Sequence, residues 1–233
     1  MGEYYSCVNV DKKQYIQPVN FNQGSNMFES SSVDNPLFGA LSSLLANEWK
    51  RYHIIYIGDY AVIPEDTDNE TLKMLLTGLH SYNVDTDIDG YITDVFQNVS
   101  GLFKAAEPDV RSDIELMIEH DDFEYNYFRV DRKDPFRGLF CRDLAYYRYV
   151  INCTRKEYFD TQNTREWHID SNPLVILLGY GRRASFYKYA GLWLGGEIEV
   201  TDDKPSDEYR DIGMDYNWIE EKEGQTNFKL LKA

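Results

Sequence analysis

Basic residues are the scarce charge in this sequence. There are 24 Lys and Arg against 40 Asp and Glu, a formal net charge of -16 over 233 residues. A field of that sign repels phosphate backbones, so direct nucleic-acid binding has no support. Cysteine is equally sparse. Cys7, Cys141 and Cys153 are odd in number and include no CxxC pair, which argues against a disulfide framework and fits a reducing compartment. The four histidines, His53, His80, His120 and His168, show neither HxxxH nor HExxH spacing, so no zinc site is written locally. GxSxG and P-loop signatures are missing. No apolar run approaches the roughly 18 residues of a membrane span. Met1 to Tyr5 lacks the basic and apolar regions of a secretion signal. The expectation is a cytoplasmic protein with no membrane partner. Three glycosylation sequons, at Asn69, Asn98 and Asn152, read as chance in that setting.

What the chain does have is a repeat. Val8-Asn9-Val10-Asp11-Lys12-Lys13-Gln14-Tyr15-Ile16 returns as Ile151-Asn152-Cys153-Thr154-Arg155-Lys156-Glu157-Tyr158-Phe159. Each copy is an apolar run, a polar turn and a second extended run, the pattern of a β-hairpin. Asn35-Pro36-Leu37 and Asn172-Pro173-Leu174 then open apolar stretches. Trp49 precedes a strand-like run ending at Gly58-Asp59, and Trp193 one ending at Asp202-Asp203. Landmarks in the same order argue for an internal duplication.

Between the copies the character changes. Residues 61–145 carry 19 acids and 8 bases. Leu72, Leu75, Leu76 and Leu79 form one apolar stripe. Ile88, Tyr91, Val95, Val99, Leu102 and Phe103 form another, and Val110, Ile114, Met117 and Ile118 a third, each at helical spacing. The expected fold is therefore α+β: a β-rich module over 1–63, an acidic helical insertion over 64–123, and a second β-rich module over 124–233, standing apart or packed as one compact unit. In the first module, Pro36 to about residue 50 reads as a helix and His53–Ile57 as a buried strand. In the second, Tyr125–Val130 reads as a strand, Leu174–Leu178 is too short to assign, and the tail from Asp215 could add an edge strand.

Candidate sites are few. Asp85, Asp87 and Asp89, followed by Gly90, resemble the start of an EF-hand calcium loop. The family would imply oxygen ligands from these acids, the Tyr91 carbonyl and Thr93. Phe96, however, stands where a bidentate Glu belongs. The better reading of these carboxylates is an acidic helix start, and no cofactor is expected. His168 and Asp170 fall on one face of an extended segment and could serve acid–base chemistry with Ser171. Gly179-Tyr180-Gly181-Arg182-Arg183 is a glycine-marked turn that could cradle a phosphate, without the full fingerprint. An enzyme site around His168, Asp170 and this turn is the alternative reading, and a purely structural component a third.

The hairpin, the Trp and the run ending in Asp are also similar to repeated modules of uncharacterised bacterial proteins. The matching stretches are Val8 to Tyr15, Ile151 to Tyr158 and Trp193 to Asp203. That resemblance implies a bacterial or phage origin and no particular activity. The first functional expectation comes from charge. An acidic binding protein of the immunity or anti-defence type would dock a basic protein partner through Asp85, Asp87, Asp89, Asp94, Asp121 and Asp122. The basic stretch Arg129–Lys156 offers a competing use for those acids, as internal pairs.

Overall fold

The structure is a computed structural model that describes residues 3–24, 27–30, 35–82, 86–123, 126–164 and 172–215. Strands β1 (Tyr5–Asn9) and β2 (Gln14–Ile16) form the first hairpin. A one-turn helix, α1 (Met27–Ser30), precedes α2 (Pro36–Ala46) and β3 (Tyr52–Gly58). Helices α3 (Glu70–Tyr82) and α4 (Ile88–Val95) follow, then the two-residue β4 (Gln97–Asn98) and α5 (Glu107–Glu119). The second hairpin is β5 (Tyr149–Asn152) and β6 (Glu157–Asp160). A short helix, α6 (Leu174–Leu177), leads to β7 (Gly179–Tyr180), β8 (Glu197–Thr201) and β9 (Arg210–Asp211). The fold is α+β, with one mixed nine-stranded sheet in the order β4-β2-β1-β3-β8-β5-β6-β9, and β7 set beside β3. Among the described residues no helix is long and apolar enough to cross a membrane.

The two hairpins are built by the same contacts. Asn9 Oδ1 accepts from Lys12 N and Asn152 Oδ1 from Arg155 N, each at 2.9 Å. Lys13 and Lys156 both close their turns at positive φ, 51° and 54°. The side-chain amide nitrogens of Asn9 and Asn152 are both buried and find no partner among the described residues. Each hairpin pairs antiparallel with the strand that follows its Trp: β1 with β3, and β5 with β8. Each also gains a short parallel strand at its outer edge. Gln97 N and Val99 N reach Lys13 O and Tyr15 O, as Arg210 N and Ile212 N reach Lys156 O and Tyr158 O. The two units meet where β3 pairs antiparallel with β8 through Tyr52–Ile198 and His53–Glu197.

Asn35 and Asn172 perform the same local task. Asn35 Oδ1 accepts from Leu37 N at 2.8 Å, and Pro36 fills the first helical position, where an N–H would have no partner. Asn172 Oδ1 accepts from Leu174 N at 2.9 Å. Leu174–Leu177 thus forms one helical turn. It is fully buried in a core that draws on both units and includes Trp49 and Trp193.

Side chains alternate across a sheet, and here both faces of the first unit are covered. Cys7, Ile54 and Tyr56 point into the main core. Val8, Tyr15, Ile55 and Ile57 point to the other side and pack with Leu72, Leu75, Ile88, Tyr91 and Ile92 of α3 and α4. Full burial of β1 explains the weak alternation of its sequence. The chain from the end of β3 to β4 holds both helices. The corresponding link in the second unit, from β8 to β9, holds only residues 202–209.

Two sequence expectations fail here. The strand expected over Tyr125–Val130 is not formed by its described residues: across 126–130 the chain turns, because Asn126 accepts from Val130 N and donates to Val130 O while Arg129 takes φ 54°. The second apolar stripe is not one helix. It stops at Val95, since Phe96 is extended (ψ 154°) and Gln97 N bonds to Lys13 O. Val99, Leu102 and Phe103 continue through β4 and tight 3₁₀ turns instead. The expected tail strand beyond Asp215 lies outside the described residues.

Candidate functional site

Asp87 and Asp89 of the calcium-like loop are used to start a helix. Asp87 Oδ1 accepts from Gly90 N at 2.8 Å, the bond of an N-cap, and Asp89 sits in the first turn of α4. Thr93 Oγ1 is turned back onto the carbonyls of Asp89 and Gly90. Residues wound into a helix cannot wrap their oxygens around one ion as the calcium loop does. Asp85 lies outside the described residues. Among those described, no three His, Cys, Asp or Glu side chains are grouped to hold a metal.

Asp94 is exposed on α4 and accepts from Tyr82 Oη at 2.9 Å. Asp121 and Asp122 follow the C-terminus of α5, where Asp121 pairs with Arg132 at 3.2 Å. His168, Asp170 and Ser171 of the alternative catalytic reading lie outside the described residues. The Gly179–Arg183 turn is described, and it is occupied. Glu3 reaches into it and accepts from the backbone N–H groups of Arg182 and Arg183. It is therefore no open phosphate cradle.

The helix pair builds a groove that the sequence did not announce. One part, of about 740 Å³, lies between the first hairpin turn and the helices. Val10, Asp11 and Lys13 line one side, and Lys73, Thr77, Gly78, Ser81, Tyr82 and Tyr91 the other. A second part, of about 600 Å³, lies beyond it between α4 and Asn126, Tyr127 and Arg129. Tyr82 and Phe96 border both. Its aromatic wall is a run of contacts: Tyr82 against Tyr91 at 5.9 Å, and Tyr91 edge-on to Phe96 at 5.5 Å. Gly78 lets that wall form, since a Cβ there would lie 2.0 Å from Tyr91 Oη. Gly78→Ala should displace Tyr91 and cost about 1–3 kcal/mol of stability, read as a lower midpoint in urea. An unchanged midpoint would mean that Tyr91 has room to move.

The acids of this region crowd one another. Burial raises the Asp89 carboxyl above the usual range, and Asp59 and Asp87 add to the rise. Burial and then Asp109 raise Asp113 in the same direction. A carboxyl raised in the folded state binds its proton more readily there than in the unfolded chain. Stability therefore falls as pH climbs from the ordinary carboxylate range through the raised value, and the loss is complete at neutral pH. Asp89→Asn should raise Tm at neutral pH, with the gain shrinking as pH falls into the range where Asp89 is protonated in both states. A gain of equal size at every pH would place the effect outside this titration.

The basic stretch does little to neutralise these acids. Arg132 pairs with Asp121, and Arg129 Nη2 donates to the Val95 carbonyl at the end of α4. The other recorded pairs lie elsewhere: Arg142 with Glu48, Arg148 with Asp160, Arg155 with Glu157 and Lys156 with Glu208. Within the helical segment, Glu70 holds Lys73 and Glu107 holds Arg111. Asp66, Glu115, Glu119 and Asp122 remain exposed at the surface. The Arg148–Asp160 pair is itself pH-sensitive. Burial alone would raise the Asp160 carboxyl, but bonds from the Arg148 guanidinium and Gln162 N leave it below the usual range. Its contribution holds above the ordinary carboxylate range and is lost as pH falls through the lowered value.

No protein family, curated protein or solved structure matches this chain. Met1-Gly2-Glu3-Tyr4-Tyr5-Ser6 fits the short N-myristoylation pattern, with Ser at the sixth position. Gly2 lies outside the described residues, and Ser6 is buried in β1.

Proposed function

We propose that this is a binding protein whose acidic helical segment docks a basic protein partner, in the manner of an immunity or anti-defence inhibitor. The observation that supports it most is where the chain spends its cations. The bases of 129–156 pair mainly with Glu48 and within the second unit. Asp66 ahead of α3 and carboxylates on α4 and α5 stay exposed or crowded. Groups kept at a cost to stability are those that function can account for.

A second support is architectural. The two units share their hairpin, caps and edge strands, and we infer that one unit was duplicated. Among the described residues, only the first unit carries helices such as α3 and α4 between its central and edge strands. That makes them the part added to a shared frame, with tyrosines and a phenylalanine suited to anchor a partner.

The reading is tested by titrating a lysine- and arginine-rich peptide into the purified protein and following tyrosine and tryptophan fluorescence across a salt series. Saturable binding that weakens steeply with salt is expected. Absence of binding at low salt would remove the electrostatic reading.

A further inference from the structure

Glu3 is a carboxylate only 2 % exposed. Its two oxygens are engaged separately. Oε1 accepts from Arg182 N at 2.9 Å, and Oε2 from Arg183 N at 2.5 Å. Tyr5 Oη donates to Oε2 at 2.7 Å and accepts from Ala184 N at 2.9 Å, which fixes the phenol's direction. Successive backbone N–H groups turned toward one point form an anion nest. The glycines on either side shape it. A Cβ on Gly58 would lie 2.4 Å from Glu3 Oε1, and one on Gly181, at φ 155°, would lie 2.6 Å from it. Burial, and then the hydrogen bond to Glu3, push the Tyr5 hydroxyl far above its usual value, so it stays a donor.

We propose that the turn at 179–184 is a carboxylate-binding site whose resident ligand is the chain's own Glu3. Two N–H groups directed at two different oxygens suit a planar carboxylate. The flanking glycine backbones stand close on both sides and disfavour a tetrahedral phosphate. The resemblance of this Gly-x-Gly-Arg-Arg turn to a phosphate cradle follows from the same physics: it does bind an anion, one tethered at the start of β1. When Glu3 loses its carboxylate, the site should accept a small free one, such as acetate or formate.

The test is thermal unfolding of the full chain and of Glu3→Ala and Glu3→Gln variants. Each is run in chloride, acetate, formate and phosphate at matched ionic strength. Removing a buried acceptor of three hydrogen bonds should lower Tm by about 5–10 °C in chloride. Acetate or formate should recover much of that loss in Glu3→Ala and add nothing to the unaltered chain, because ligand binding to the folded state alone raises stability with concentration. Glu3→Gln fills the space but points an NH₂ group at an N–H donor. It should lose stability in chloride and gain nothing from acetate.

Unfolding of Glu3→Gln at the unaltered temperature would overturn the proposal, and this reading stands even if Glu3→Ala does not fold. A response of Glu3→Ala to acetate no larger than to chloride would also overturn it. Phosphate matching acetate would overturn the assignment to carboxylates.

Discussion

Trp193→Ala is expected to lower the unfolding free energy by about 3–5 kcal/mol, with Trp49→Ala close behind. Both indoles are fully buried in the one core. Each is tied to the second strand of its own hairpin. Trp49 Nε1 donates to Gln14 Oε1 and Trp193 Nε1 to Glu157 Oε2, both at 2.9 Å. Trp193 also stacks on Phe159 at 5.7 Å. The two losses should differ in kind. Removing Trp193 strips a donor from a buried carboxylate that keeps Arg155 at 2.9 Å. Removing Trp49 leaves the neutral amide of a half-buried Gln14. Phenylalanine substitutions separate volume from hydrogen bonding: Trp193→Phe should remain clearly destabilised, while Trp49→Phe should recover more. Urea unfolding of the four variants reads this directly. A loss below about 1 kcal/mol at either indole, outside the range for large core truncations, would mean that its unit is not built around it.

These tryptophans also show what the sequence could reveal. The Asn of each hairpin turn, the Asn-Pro helix start and the Trp before the central strand all act over short chain distances. Their physics is written in adjacent residues and repeats when the residues repeat. The edge strands β4 and β9 are two residues each, too short for any period, and exist because Lys13, Tyr15, Lys156 and Tyr158 offer free carbonyls. Glu3 in the 179–184 turn joins residues almost a whole chain apart, so the glycines could suggest an anion without naming it. The strand expected over Tyr125–Val130 had the right alternation, but the side chain of Asn126 bonded the backbone first. The groove depended on two helices crossing one hairpin turn, which no local pattern records. Of the candidate acids, Asp87 and Asp89 proved to be a cap and a first-turn residue. Asp94 and Asp122 kept the exposure that the charge argument required.

That exposure sets the second large effect. Reversing Asp94, Glu119 and Asp122 to Lys should weaken binding of a lysine- and arginine-rich peptide by about 10–100-fold at low salt, from attractions of a few tenths to 1 kcal/mol lost and repulsions gained. The comparison that gives the result meaning is a variant of equal net charge. Glu197, Asp203 and Asp207 are exposed on the second unit, and reversing them to Lys changes the whole-molecule field by the same amount. If the partner docks on the helices, the first variant should lose most of the affinity and the salt dependence, while the second should lose only the modest share due to long-range steering. Both should bind alike at high salt, where the Debye length falls to about 3 Å. Equal weakening by the two variants would show that the peptide answers to net charge alone, and the helical segment would then have no claim as a docking site. Full affinity in the first variant would move the site off α4 and α5 altogether. Asp87 is left in place in both variants because its cap on Gly90 N holds the start of α4, and its loss would confuse folding with binding.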